Sequence, residues 1–173
     1  MKKYRLLIFI ALAVLCKTAA AQKKPTYNFR LGATVSFGLT KIAGNNVGIG
    51  GLVGVEKQVD KQFTVELEGA YNYFTGDKVT YNDANNKAFA IPVLAGVKVY
   101  PSRNAYFSLR TGAIYFLLND MPDAKIRLAY GIASGINLPK TTNRVNLQLA
   151  YTLFQYQRIT RGYATLAAAI IIN

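Results

Sequence analysis

In the stretch FTVELEGAYNYF, residues 63–74, Glu66 and Glu68 stand one residue apart. If the stretch is a β-strand, its period of two puts both carboxylates on one face and Phe63, Val65, Leu67, Tyr71 and Tyr73 on the other. Their Cβ atoms would be about 6–7 Å apart, within the range used by paired carboxylates that share acid and base work. The chain contains no histidine, which removes Ser-His, Asp-His and Cys-His arrangements together. A carboxylate-only mechanism is what remains, and it needs a substrate cavity that spacing alone does not supply.

Other segments that could carry chemistry are weaker. The run GNNVGIGGLVG, residues 44–54, fails the G-x-G-x-x-G pattern because Val53 stands where the third glycine is needed, and no helix follows to present its N-terminus to a phosphate. A strand with small residues on one face accounts for it better. In TGDKVTYNDANN, residues 75–86, Asp77, Asp83, Asn85 and Asn86 are oxygen donors suited to calcium, but the glycine and closing glutamate of an EF-hand loop are missing. Arg158 and Arg161 fall near a loop and are candidates for contacting phosphate groups of a surface glycolipid. No metal or cofactor is expected.

The N-terminus reads MKKYRLLIFIALAVLCKTAAAQ. Lys2, Lys3 and Arg5 precede an apolar run from Leu6 to Leu15 and a small-residue segment Ala19-Ala20-Ala21, the layout of a secretory signal peptide spanning 1–21. The run is about ten residues, short of the roughly 20 that a spanning helix needs. Cys16, the single cysteine, follows Leu15 where a lipoprotein signal wants a small residue, so it is expected to leave with the leader. Residues 22–173 then form one domain without disulfides or thiolate metal sites. The formal charge is +13, but the basic residues are scattered singly and the chain is exported. Anionic lipid headgroups are therefore the expected counter-charge, and nucleic acid is not.

The elements that must position these residues are strands. Alternating runs fall at about 27–40, 47–57, 62–74, 87–100, 105–117, 125–138, 144–157 and 163–172. In the first, Tyr27, Phe29, Leu31, Ala33, Val35, Phe37 and Leu39 alternate with Asn28, Arg30, Gly32, Thr34, Ser36 and Gly38. Gln58–Lys61, Pro101–Asn104 and Pro139–Asn143 read as tight turns; Lys41–Asn46, Thr75–Asn86, Leu118–Ala124 and Arg158–Gly162 read as the longer loops. An even number of strands with short turns at one end and longer loops at the other predicts an all-β, eight-stranded, antiparallel, up-and-down transmembrane β-barrel.

The polar face must then point inward. Gly48, Gly50, Gly54, Gly96, Gly112, Gly131 and Gly135 share that face and make room for long neighbours. Arg30, Glu56, Glu66, Glu68, Lys98, Arg110 and Arg127 share it too, along with Asn72, Asn137, Asn146 and Gln148. Unpaired charges inside a narrow barrel cost several kcal/mol each, so these seven charged residues are expected to form one internal hydrogen-bonded network. The aspartates, Asp60, Asp77, Asp83, Asp120 and Asp123, fall instead in the proposed turns and loops. Tyr27, Phe29, Phe63, Phe89 and Phe107 are expected to form one interfacial girdle, and Tyr71, Tyr73, Tyr115 and Tyr151 the other.

The segment FAIPVLAGVKVYPSRNAYFSLRTGAIYFLL, residues 89–118, resembles the small outer-membrane β-barrel domain family of Gram-negative bacteria, of the OmpA transmembrane-domain and OmpX type. The resemblance lies in a strand with an Ile-Pro pair, a tight turn and a glycine-containing strand ending in aromatics. The chain departs from the family by ending LAAAIIIN rather than on an aromatic residue. What the resemblance implies is a porin-like fold and an outer-membrane location rather than an activity. The expectation is a monomeric, non-enzymatic structural or surface-interaction protein with a polar plugged interior. Its partners would be outer-membrane lipids and lipopolysaccharide, the barrel-assembly machinery and an extracellular ligand bound through the loops. The rival readings are a soluble periplasmic barrel binding an apolar ligand, a lipid-modifying outer-membrane enzyme, and a narrow pore.

Overall fold

A computed structural model describes residues 27–39, 47–74, 87–118, 121–138, 144–156 and 159–172, with backbone alone at residues 118, 121–125 and 156. The signal-peptide reading, Arg158, and Asp77 and Asp83 of the proposed calcium loop lie outside the described residues.

Alternation of apolar and polar or tiny residues produces eight strands: β1 (Tyr27–Gly38), β2 (Val47–Gln58), β3 (Phe63–Phe74), β4 (Ala88–Val99), β5 (Ala105–Leu118), β6 (Met121–Leu138), β7 (Arg144–Tyr156) and β8 (Ile159–Ile172). Each pairs antiparallel with its neighbour in sequence. β8 returns to β1 in register from Phe29↔Ile172 to Gly38↔Tyr163, so the sheet is a closed barrel without an edge. Side chains alternate strictly across this wall. In β1, Phe29, Leu31 and Val35 are exposed, whereas Arg30, Thr34 and Ser36 are buried.

Proline is placed where its missing N–H does no harm. The β3–β4 ladder passes from Gly69↔Val93 to Asn72↔Ala90 and skips the two steps opposite Pro92 and Ile91. Two expected loops need correction. Residues 118–124 are mostly strand, because β5 and β6 pair on to Leu118↔Met121 across a register shift. Residues 159–162 are strand as well, paired to Leu153–Tyr156 of β7. Among the described residues, β6 around Pro122 pairs on its β5 side alone, since its ladder with β7 begins at Ala129↔Phe154. An edge segment tolerates proline.

The girdle expectation also needs one change. Phe89 opens β4 at the loop end and packs on Tyr73 and Tyr71, with ring centroids 5.1 and 6.0 Å away. An even-numbered strand of an antiparallel barrel starts at the end where odd-numbered ones finish, so Phe89 belongs with the other girdle.

Candidate functional site in the barrel interior

Five consecutive strands deliver charged side chains to one level of the interior, toward the short-turn end. Arg30 comes from β1, Glu56 from β2, Glu66 and Glu68 from β3, Lys98 from β4 and Arg110 from β5. Arg30 is the hub. Its Nε lies 2.6 Å from Glu56 Oε1, and its Nη2 lies 2.8 Å from both Glu66 Oε2 and Glu68 Oε2. Lys98 Nζ sits 2.5 Å from Glu56 Oε1 and 3.4 Å from Glu66 Oε2. Arg110 pairs through Nη1 with Glu68 and approaches Glu66 Oε1 through Nε at 3.6 Å. Three carboxylates thus meet three cations, and the formal charges balance in a region where Lys98 is 0% and Glu66 1% exposed.

Glycines let these long side chains cross. Glu66 is in register with Gly96, and Gly96 with Arg110. A Cβ on Gly96 would come within 2.6 Å of Arg110 Cγ and 2.5 Å of the Leu109 carbonyl oxygen. The Glu66–Arg110 contact therefore passes over a position that only glycine leaves open.

A neutral rim completes the layer. Arg30 Nη1 donates to Gln148 Oε1 at 2.9 Å, Gln148 Nε2 donates to Glu68 Oε2 at 3.3 Å, and Ser108 donates its hydroxyl proton to Glu66. The Tyr106 hydroxyl donates to Gln148 Oε1 at 2.9 Å, and its ring lies 4.0 Å from Lys98 Nζ. Tyr106 and Ser108 were missed from sequence, although they share the parity of Arg110 and so must share its face.

For Glu66 and Glu68 this arrangement answers the chemical question posed by their spacing. Every oxygen of the pair is in contact with a cation, and Ser108 and Gln148 donate to them as well. Both carboxylates are thus fully engaged in ion pairs and hydrogen bonds. Among the described residues, no three His, Cys, Asp or Glu side chains are grouped to hold a metal ion.

Arg127 needs correction, and Arg161 can be placed. Arg127 has the inward parity but is half-buried, and it has no ion pair with the interior carboxylates; it lines a groove at the loop end of β6. Arg161 is 9% exposed, and its guanidinium carbon lies 5.9 Å from the centroid of the Phe116 ring. It therefore sits at the barrel mouth, against the aromatic layer. Parity sets the face of a side chain and leaves its depth open.

At the loop end the inner face changes character, and the interior expected to be polar throughout is not. Thr34 and Ser36 donate to Asn72 Oδ1 at 2.9 and 3.0 Å, and Ser36 also meets Thr165 at 2.9 Å. Beyond them Ile114, Phe74, Phe116, Phe154 and Tyr163 form a buried apolar cluster. Phe116 and Phe154 are 5.0 Å apart, and Phe74 meets Tyr163 edge-on at 5.5 Å.

In sequence the chain matches no protein-family model and no curated protein. In structure it is similar to Neisserial surface protein A, with a TM-score of 0.64 at 10% identity over 87% of this chain and 99% of that one. It is also similar to Ail, the attachment invasion locus protein of Yersinia pestis, with a TM-score of 0.56 at 12% identity over 87% and 100%. The N-terminal β-barrel domain of Pseudomonas aeruginosa OprF matches with a TM-score of 0.54 at 12% identity over 86% and 100%. At such low identities the common property is architecture, and the chain has the fold of the small eight-stranded outer-membrane β-barrels.

Proposed function

We propose that this protein is an integral outer-membrane β-barrel, monomeric and without catalytic activity, with a sealed interior and a structural or surface-interaction role. The observation that carries this reading is the inversion of polarity across the wall. The outer face presents Leu109 at 72% and Ile126 at 70% exposure, while charged side chains occupy the inside. In water such a continuous apolar face would drive association, whereas hydrocarbon accommodates it. Strands of 12 to 18 residues exceed the roughly 9–11 needed to cross a bilayer at a tilt. Tyr71, Tyr73 and Phe89 at the loop end, and Tyr27, Phe63 and Phe107 at the other, suit the two membrane interfaces. The short-turn end would face the periplasm.

An eight-stranded barrel is wide enough for side chains and little else. The charged layer and the aromatic layer both cross it here, which supports a plug over a pore. Segments 41–46 and 75–86 would then be the contact surface for an extracellular partner. Neisserial surface protein A and the attachment invasion locus protein share this architecture, and their names fit a surface role for it. Outer-membrane lipid, lipopolysaccharide and the barrel-assembly machinery are the other partners this reading requires.

Fractionation tests the proposal. The protein should be recovered with the outer membrane, need detergent for extraction and show a heat-modifiable gel shift. Recovery in the soluble periplasmic fraction would instead favour the apolar-ligand barrel.

A further inference from the structure

We infer that the barrel carries a lipid-headgroup site in a lateral slot between β6 and β7 at the loop end, where Arg127 takes the phosphate of an anionic membrane lipid. The inference rests on the membrane reading above and adds a binding site to it.

The slot originates in the pairing. The β6–β7 ladder runs from Leu138↔Val145 to Ala129↔Phe154 and stops there. Both strands continue, β6 to Met121 on its β5 side and β7 to Tyr156 on its β8 side. The two hairpins therefore part above Ala129 and Phe154. A groove of about 700 Å³ lies at this seam.

Its lining joins the two faces of the wall. Arg127 and Phe154 have the inward parity, while Leu128, Tyr130 and Leu153 have the outward one, and Gln155 and Thr160 add polar groups. Phe154 is 2% exposed and packed on Phe116 and Tyr163. The groove thus ends against the aromatic layer and opens sideways toward the bilayer.

Charge and depth select the occupant. Arg30, Lys98 and Arg110 are each matched by carboxylates, but Arg127 has no ion pair among the described residues. A half-buried guanidinium with no carboxylate on it among the described residues suits a phosphate, which it can bind through two parallel N–H donors. Arg127 is in register with Ile114, and the next pair, Ile126↔Tyr115, brings in an aromatic of the loop-end girdle. Aromatic girdles mark headgroup depth. Below that level, Leu128 and Tyr130 are 59% and 55% exposed and offer an apolar lip to an acyl chain. A headgroup phosphate above and a hydrocarbon tail alongside match this gradient, whereas free phosphate would leave the lip unused.

The chain contains no tryptophan, so a single introduced one is a clean reporter. Ile126→Trp places it at the outer edge of the slot without replacing a lining residue, and Val53→Trp places it on the far lipid-facing wall. Both proteins are reconstituted into phosphatidylcholine vesicles, and quenching by brominated phosphatidic acid is compared with quenching by brominated phosphatidylcholine. The slot reporter should show about a tenfold preference for phosphatidic acid, the ratio that about 1.4 kcal/mol of phosphate contact produces. The wall reporter should show none. Adding Arg127→Gln should abolish the preference at the slot, and Arg127→Lys should retain part of it.

Equal quenching by both lipids at the slot, or a preference that survives Arg127→Gln, overturns the site. So does complete displacement by millimolar inorganic phosphate, which would mark a free-anion site. Failure of brominated phosphatidylcholine to quench either reporter would overturn the membrane reading itself.

Discussion

The two halves of the barrel interior solve one problem by different physics. Toward the short turns, Arg30, Lys98 and Arg110 meet Glu56, Glu66 and Glu68 in a balanced cluster. Toward the loops, Phe74, Phe116, Phe154 and Tyr163 fill the same cross-section with rings. Under the proposed sealed reading, both would exclude water from a cylinder that eight strands keep narrow. They differ in how they fail. A ring can be trimmed at the cost of its own contacts and the cavity left behind, whereas a charge removed from the cluster strands every partner it held. Damage of matched size should therefore spread further in the charged half.

The largest effect is expected at the hub. Arg30→Ala leaves three carboxylates facing two cations and should destabilise the barrel by about 3–5 kcal/mol. Urea unfolding in detergent, followed by the heat-modifiable gel shift, measures it. A variant that unfolds at the parent's midpoint would show that the cluster does not act as one unit. In the aromatic half, Phe116→Ala removes a ring that touches Phe154 at 5.0 Å and should cost about 3 kcal/mol in the same assay. If it proves more damaging than Arg30→Ala, the comparison is reversed and the rings dominate.

How far each half can be read from sequence follows from the same contrast. Arg30, Glu66, Glu68, Lys98 and Arg110 needed parity alone to be placed on one face, because the alternate positions of their strands are apolar. Arg127 passed that test and still lies elsewhere, since depth depends on the register of every ladder between it and Glu66. Register is a sum over neighbours that no single strand records. Phe116 and Phe154 also have the inward parity, but a face taken to be polar hid them. The segments 118–124 and 158–162 read as loops in the sequence, yet residues 121–124 and 159–162 are strand, because a hairpin can go on pairing with one partner past the end of a neighbouring ladder.

A smaller perturbation separates hydrogen bonding from packing inside the charged half. The Tyr106 hydroxyl donates to Gln148 Oε1 at 2.9 Å and accepts from Asn146 Nδ2 at 3.1 Å. Tyr106→Phe keeps the ring against Lys98 Nζ, 4.0 Å from its centroid, and removes the hydroxyl alone. A loss of about 1 kcal/mol is expected in urea unfolding. A loss as large as that for Arg30→Ala would mean that the rim, and not the ion pairs, sets the stability of this half.

The smallest change in stability is predicted for the variant that removes the most charge evenly. Glu56→Gln and Lys98→Met each disturb the 2.5 Å Glu56–Lys98 contact and should cost about 3 kcal/mol alone, because the partner stays buried and charged. Together they leave Arg30 and Arg110 matched to Glu66 and Glu68. The combined variant should lie within about 1 kcal/mol of the parent, since a buried ion pair replaced as a unit gives back its desolvation cost. A double variant as unstable as the two singles combined would show that the pair contributes net stability. Near-parity would show that stability does not account for keeping charge here, which directs attention to what a charged layer does and a ring layer cannot. Small ions make that distinction. Ion pairs fix ions electrostatically, whereas rings exclude them by desolvation, so conductance of the near-parity double variant in planar bilayers is the measurement that follows. A rise above the parent would assign the seal to the charged half, and an unchanged trace would assign it to the aromatic one.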